Sequence, residues 1–600
     1  HKYMNARIVG VIHTHWLAFL IALVLGLVYA SHHFFIPVFF LDSRSEIYEP
    51  LAGDYGDEAL LYGPRAHDAF LDFGIRGDFS LAEYPRSPAI LPMLNPLLLG
   101  GLGKVFGSMS RGIIASDILF PSLIFFLLYL LMCEMGVSRS GSLVFAMFYI
   151  ASPQFGISLP PTSSFHAQNL ARMVFPFFTQ NEALYFSHFD EPKLTFIFLV
   201  FFLYSIVRAL KRQGRNDIIV AGISFGFLFY TYFYDWATII TSLCLMAIYF
   251  LATKNYRRFK IVAAVIAIGV CLSSYYWINL LAIKNLPTGH DVIARLGGEF
   301  SHFLRFETVW KSYARAIMIV SFLWIVLRHR VPEAVIVLSA MLLSYMVVVN
   351  VQVITGFNIQ PDHWYRVQFL PIAAAIFLLA CRGWRKYITP YINMCAPIAF
   401  QLFLIFFFVS ALYGQYGYSA KRAHEFAFSK EYAQGFEWLD AHTKQGSVVG
   451  TLSGKGNLDL ELYTKNKIFL PFGLATIASN EELIQRLMIL SKAWNIDPQT
   501  FAAIVRGEMA NYLFGEQYTA HTFDASFSHH SWHIPDDFVE EKINEYTSFL
   551  HDGRTFASPY RLDYLFVDKN EFSQWKEPHE FIPSLVNVFD NSRVVIYSLR

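Results

Sequence analysis

The residues best suited to chemistry stand in Gly53-Asp54-Tyr55-Gly56-Asp57-Glu58, which follows the first long apolar run of the chain. Carboxylates at the edge of a bilayer are costly unless water, a partner or a reaction uses them. Asp54, Asp57 and Glu58 are therefore candidates for accepting a proton or for holding a cation through oxygen ligands. The flanking glycines permit a turn that aims a carboxylate into a cavity, and an amphipathic helix opens directly afterwards at Ala59-Leu60-Leu61-Tyr62. For most other acidic residues between Leu41 and Ser87 a solvated loop is sufficient explanation.

A second acidic pair, Asp190-Glu191, lies with His188 just before the apolar run that opens at Lys193-Leu194-Thr195. It has two readings. In one, Asp190 caps a helix, Glu191 favours its positive end and Pro192 takes the first helical position. In the other, the pair faces the first loop across a cavity, where Asp54, Asp57, Asp190 and Glu191 share a divalent cation such as Mg²⁺ or Mn²⁺. A third segment, Gln360-Pro361-Asp362-His363-Trp364-Tyr365-Arg366, also has two. Arg366 snorkels beside an aromatic belt, or Arg366 and His363 clamp a lipid-linked phosphate, whose oxygens a guanidinium binds in pairs. His521, His529, His530 and His533 lack a recognised ligand spacing and accompanying cysteines, and Asp235 in Tyr234-Asp235-Trp236 reads as structural.

The elements that position these residues are membrane helices. Of 600 residues 55% are hydrophobic and 16% charged, with 59 Phe and 33 Tyr, the balance of a polytopic membrane protein. A net charge of +1 without a basic stripe excludes a nucleic-acid track. All five cysteines fall in apolar runs and read as small core residues. Runs of roughly 17 to 25 residues can span a bilayer. Eleven such runs are expected, near 14–40, 112–133, 139–158, 192–210, 217–234, 236–253, 259–282, 312–328, 332–352, 367–382 and 391–413. The first is a retained anchor rather than a removable signal. Pro88–Gly107, interrupted by prolines and glycines, reads as an interfacial helix. The basic loops at Arg208–Arg215, Lys254–Lys260, Arg328–Arg330 and Arg382–Lys386 all fall on the cytoplasmic side if the N-terminus does. The first loop (41–111), 159–191, 283–311, 353–366 and everything after 414 then face outward. An α-helical transmembrane module (1–414) followed by an extracytoplasmic α/β domain (415–600) is expected. In that domain helices are read at 425–442, 480–494, 498–514 and 535–550, with strands at 447–452, 467–470, 564–567 and 594–597. Ordinary composition leads us to expect that it folds alone.

This layout resembles the GT-C superfamily of membrane glycosyltransferases, which includes protein O-mannosyltransferases, aminoarabinose transferases and oligosaccharyltransferase catalytic subunits. Asp57-Glu58 matches the Asp-Glu pair of the first outer loop in the first two groups, and Arg366 resembles their donor-phosphate arginine. A Trp-Trp-Asp-Tyr-Gly motif is missing, which argues against an oligosaccharyltransferase. The resemblance implies inverting transfer of a sugar from a polyprenyl-phosphate donor to a hydroxyl of a glycan, lipid or protein at the outer face of the plasma (inner) membrane. Asp57 is then the base, Asp54 its substitute, Glu58 an orienting group or cation ligand, and Arg366 with His363 the phosphate clamp. The alternatives are a transporter or flippase of lipid-linked glycans, or a ligase or polymerase of them. Transporters place binding charges near the midplane, whereas the spans here read as largely uncharged inside. This topology predicts that Thr355→Cys and Ser528→Cys react with an impermeant thiol reagent in sealed cells; labelling only after lysis contradicts it.

Overall fold

The computed structural model describes residues 2–51, 57–74, 77–151, 192–304, 306–383, 385–518, 534–551, 558–572 and 577–599. A helix occupies each of the eleven apolar runs at least in part. Five helices are by themselves long and apolar enough to cross a membrane, or seven if two bent pairs are each one span, among the described residues. The difference from eleven lies in four runs whose helices are short or end in charge. Arg139–Ala151, Arg215–Leu228 and Pro332–Val348 have 13, 14 and 17 residues, and Thr195–Arg212 ends in Arg208, Lys211 and Arg212.

The run 14–40 is the first bent pair. Helix Lys2–Tyr29 gives way at Ala30-Ser31 to His32–Phe35 and a π turn over Ile36–Phe40, with a bend of 40°. Carbonyls freed by a break need partners inside an apolar layer. Gln415 supplies them, donating to Val28 O at 3.2 Å and Tyr29 O at 3.1 Å. The interfacial segment forms helix Leu94–Phe106, which lies against helix Asp57–Leu71. The approach is so close that a Cβ on Gly100 would come within 2.7 Å of Ala66 O.

Strand β1 (Glu46–Tyr48) precedes two short strands, β2 (Gly298–Glu299) and β3 (Asn358–Ile359), which pair with each other. β1 itself pairs antiparallel with β4 (Ala427–Ser429), residues expected to lie in a helix from Glu425. That helix starts instead at Lys430, where the Ser429 hydroxyl accepts from Tyr432 N–H. Strands β5 (Val448–Gly450), β6 (Lys467–Ile468), β7 (Tyr564–Asp568), β8 (Leu585–Asp590) and β9 (Val594–Leu599) form one sheet in the order β6-β5-β7-β9-β8. β6, β5 and β7 are parallel, and β9 runs antiparallel to both neighbours. Side-chain alternation splits the core. Val449, Phe566, Val594 and Ile596 pack against helix Lys430–His442, while Val448, Leu565, Val567 and Val595 face helices between Asn480 and Phe514.

The sheet's core crosses the expected 414/415 boundary, which itself lies inside the continuous helix Arg385–Arg422. Phe79 and Leu81 of the first loop are part of that core, and Ser80 O accepts from Ile468 N–H at 3.2 Å. Buried Asp78 accepts from Thr476 Oγ1, from Ile477 N–H at 3.0 Å and from Leu81 N–H at 3.0 Å. Arg295 ends helix Gly289–Arg295 fully buried and donates to Gly473 O, Thr476 O, Ala478 O and Asn480 Oδ1, each within 2.8 Å. Burial pushes its pKa down to about 10, so it remains charged and its bonds are charge-assisted. Such bonds contribute about 1.5–3 kcal/mol each, and stranding their acceptors costs more. Arg295→Ala should therefore loosen residues 473–480 and lower the melting temperature, read by hydrogen exchange and thermal unfolding; unchanged exchange there contradicts this account of the junction.

Candidate functional site

Where the bent first helix meets helix Met109–Glu134, four ionisable or imidazole side chains are buried together. Asp117 is 1% exposed in the second turn-pair of an apolar helix, a position that demands counter-charge. Lys193, also 1% exposed, pairs its ammonium with Asp117 Oδ1 and donates to Ser116 Oγ at 3.1 Å. His33 Nε2 lies 2.7 Å from Asp117 Oδ2. A carboxylate only accepts, so Nε2 is the donor in this contact, while Nδ1 meets the Tyr48 hydroxyl. His32 lies against His33 with ring centroids 3.9 Å apart and planes tilted by 38°, and meets Tyr29 O through Nδ1 at 2.9 Å.

His32, His33 and Asp117 present three ligand atoms within 4.8 Å of one another. A metal ion on the Nε2 atoms and Asp117 Oδ2 would have to replace the His33 Nε2–Asp117 hydrogen bond and would stand beside the Lys193 ammonium on the same carboxylate. The cation that this chain sets against Asp117 is its own lysine. The arrangement runs as a hydrogen-bonded chain from Tyr48 through His33 and Asp117 to Lys193.

This knot was not legible in the motifs, yet two of its residues stand close in sequence to the two acidic segments. Tyr48 is on β1, six positions before Asp54, and β1 is tied down further by Glu49, which accepts from Ser110 Oγ at 2.6 Å. Burial raises the Glu49 carboxyl above its usual range. Lys193 is the second residue after Glu191. Asp57 and Glu58 form the first turn of helix Asp57–Leu71, where negative charge suits the helix N-terminus. Their side chains, Asp54, and His188, Asp190 and Glu191 lie outside the described residues, as do His521, His529, His530 and His533.

His363 and Arg366 share the 3₁₀ segment Pro361–Gln368. Its anchor is Trp364, fully buried, whose indole N–H donates to Asn358 Oδ1 at 2.9 Å. The His363 ring meets Tyr234 edge-on at 5.5 Å, and Tyr234 donates to Ile359 O at 3.0 Å. Arg366 is half-buried here at the start of helix Phe369–Gly383. Asp235 is buried in the first turn of helix Phe233–Ala252.

No family model and no curated protein matches the chain. Solved structures are similar to it in fold. One is the Archaeoglobus fulgidus oligosaccharyltransferase tethered to an acceptor peptide, at 13% identity and TM-score 0.44 over 98% of this chain and 74% of that one. Another is ArnT from Cupriavidus metallidurans bound to undecaprenyl phosphate, at 13% identity and TM-score 0.45 over 98% of both chains.

Within spans that read as largely uncharged inside, Asp117 is a buried charge in the run 112–133. Removing one partner of a buried ion pair typically costs about 3–5 kcal/mol, whereas replacing both by apolar groups is often nearly neutral. Lys193→Met and Asp117→Leu should each lower thermal stability sharply, and the double variant should recover most of it. Additive losses in the double variant contradict a direct pair.

Proposed function

We propose that the chain is a membrane glycosyltransferase that moves a sugar from a polyprenyl-phosphate donor to an acceptor hydroxyl at the outer face, with inversion. The observation that carries this reading is the shared knot. Tyr48, six positions before Asp54, and Lys193, the second residue after Glu191, both reach the Asp117–His33 pair. Residues that neighbour two acidic segments remote in sequence thus meet at one point, which supports a site built from outer loops.

A phosphate-linked sugar already has a good leaving group. The transfer then needs one base for the acceptor proton and cations for the departing phosphate. Asp57 is the proposed base, with Asp54 the alternative three residues upstream; Glu58 orients it. Arg366 and His363 hold the phosphate. Asp190 and Glu191, with His188, are the second acidic group, and a divalent cation, Mg²⁺ or Mn²⁺, is the cofactor that suits the carboxylates.

Asp57→Asn keeps size but not basicity, and should lower transfer by about a hundredfold to ten-thousandfold while donor binding survives. Collapse in Asp54→Asn with near-normal Asp57→Asn moves the base upstream. Normal transfer by both removes the catalytic reading and favours transport of the lipid-linked glycan. Arg366→Ala should impair donor affinity and turnover more than Arg366→Lys, which keeps the charge and loses the paired donors. Unchanged donor kinetics in Arg366→Ala would return that residue to an interfacial anchor.

A further inference from the structure

Helix Phe233–Ala252 carries Tyr234, beside His363, at one end and leads into Lys254 at the other. Its 20 residues rise about 30 Å, the thickness of a hydrocarbon core. Two loops meet at the end remote from His363. Arg258, in the first turn of helix Tyr256–Leu272, is ion-paired with Glu333, in the first turn of helix Pro332–Val348. Tyr249 and Trp324 pack edge-on at 5.5 Å, which joins the last turns of helices Phe233–Ala252 and Phe306–Leu327.

The charge at this junction is one-sided. Residues 248–260 and 324–333 hold six lysines and arginines and a single acid, Glu333, which Arg258 occupies. Lys254, Arg257, Lys260 and Arg328 are exposed. Asp217, on helix Arg215–Leu228 alongside, is taken by Arg208 at 2.6 Å. One turn further into the apolar layer, the same helix ends expose Ile248 (65%), Leu251 and Ile325 (77%). Ile248 and Ile325 are the chain neighbours of the touching Tyr249 and Trp324. Cations above and aliphatic side chains below fit an amphiphile: a phosphodiester, whose oxygens a guanidinium binds in pairs, and the acyl chains attached to it. A zwitterionic headgroup brings a cation of its own into a junction that is already positive, whereas a net-anionic one balances it.

We propose that this junction binds an anionic diacyl phospholipid in the leaflet opposite the candidate site, its phosphate held by Arg257 and Arg328 and an acyl chain laid along Ile248, Leu251 and Ile325. The lipid site shares no residue with the proposed transferase machinery, and its occupancy is read without turnover.

The test is native mass spectrometry of the detergent-solubilised full chain, titrated with phosphatidylglycerol or phosphatidylcholine. The first phosphatidylglycerol should bind at least about fivefold more tightly than phosphatidylcholine. Neutralising one cation at such a surface weakens binding by about fivefold, so Arg257→Gln/Arg328→Gln should lose about twenty-five-fold. Ile325→Asn should weaken the same lipid with every cation in place. Arg212→Gln/Arg215→Gln, which alters the neighbouring basic loop, should leave the first site unchanged. All four arginines are exposed, and circular dichroism verifies the fold of each variant. Equal affinity for the two lipids or undiminished binding by Arg257→Gln/Arg328→Gln overturns the proposal. So does an equal loss in Arg212→Gln/Arg215→Gln, the mark of diffuse attraction, or displacement by glycerol 3-phosphate, the mark of a site for free phosphate. Absence of phosphatidylglycerol binding, as for a junction that faces an acidic protein instead, overturns it as well.

Discussion

The position of Asp117 is the constraint on which the first loop and the bent first helix of this molecule depend. A carboxylate placed inside an apolar helix is untenable alone, and its two oxygens are taken by Lys193 and His33 from regions distant in sequence. To deliver His33, the first helix must break at Ala30-Ser31, and Gln415 satisfies the carbonyls that the break exposes. To engage His33 from its other side, Tyr48 must be brought back over the helix ends, and pairing of β1 with β4 accomplishes this. One ion pair thus sets the bend of the first helix, the path of the first outer loop and the entry of the chain at Lys193.

The first loop has a second role, as part of the outer region's core. Phe79 and Leu81 pack under the sheet, Asp78 organises residues 476 and 477, and Tyr84 donates to Glu482 Oε2 at 2.7 Å. Glu83 and Glu482 both approach the fully buried Arg486. The segment carrying the proposed base is therefore held at one end by the membrane helices and at the other by the outer region.

Apolar runs and their helices were legible in the sequence, because hydropathy alone demands them. Strands β5, β6, β7 and β9 were legible as β-branched or aromatic runs. β8 was missed, although Val586 and Val588 alternate with polar or outward residues, and β4 was absorbed into a helix because only pairing with β1 distinguishes it. Boundaries set by tertiary contact are invisible to local patterns. The knot was missed for a related reason. His32-His33 sit within an apolar run, Lys193 resembles an interfacial lysine, and Asp117 is a single acid in an otherwise apolar stretch. That lone acid was the available signal, since an ionisable residue inside a span implies a partner.

The most direct test of the central claim is a cryo-electron-microscopy map of the full chain in nanodiscs with a non-reacting polyprenyl-phosphate sugar analogue. The account predicts that the sugar's anomeric carbon lies beside the Asp57 carboxylate, that the phosphate rests on Arg366, and that the His33–Asp117–Lys193 contacts are intact beneath them. A headgroup bound away from both Asp57 and Arg366, or a site reached only with that ion pair broken, would contradict it.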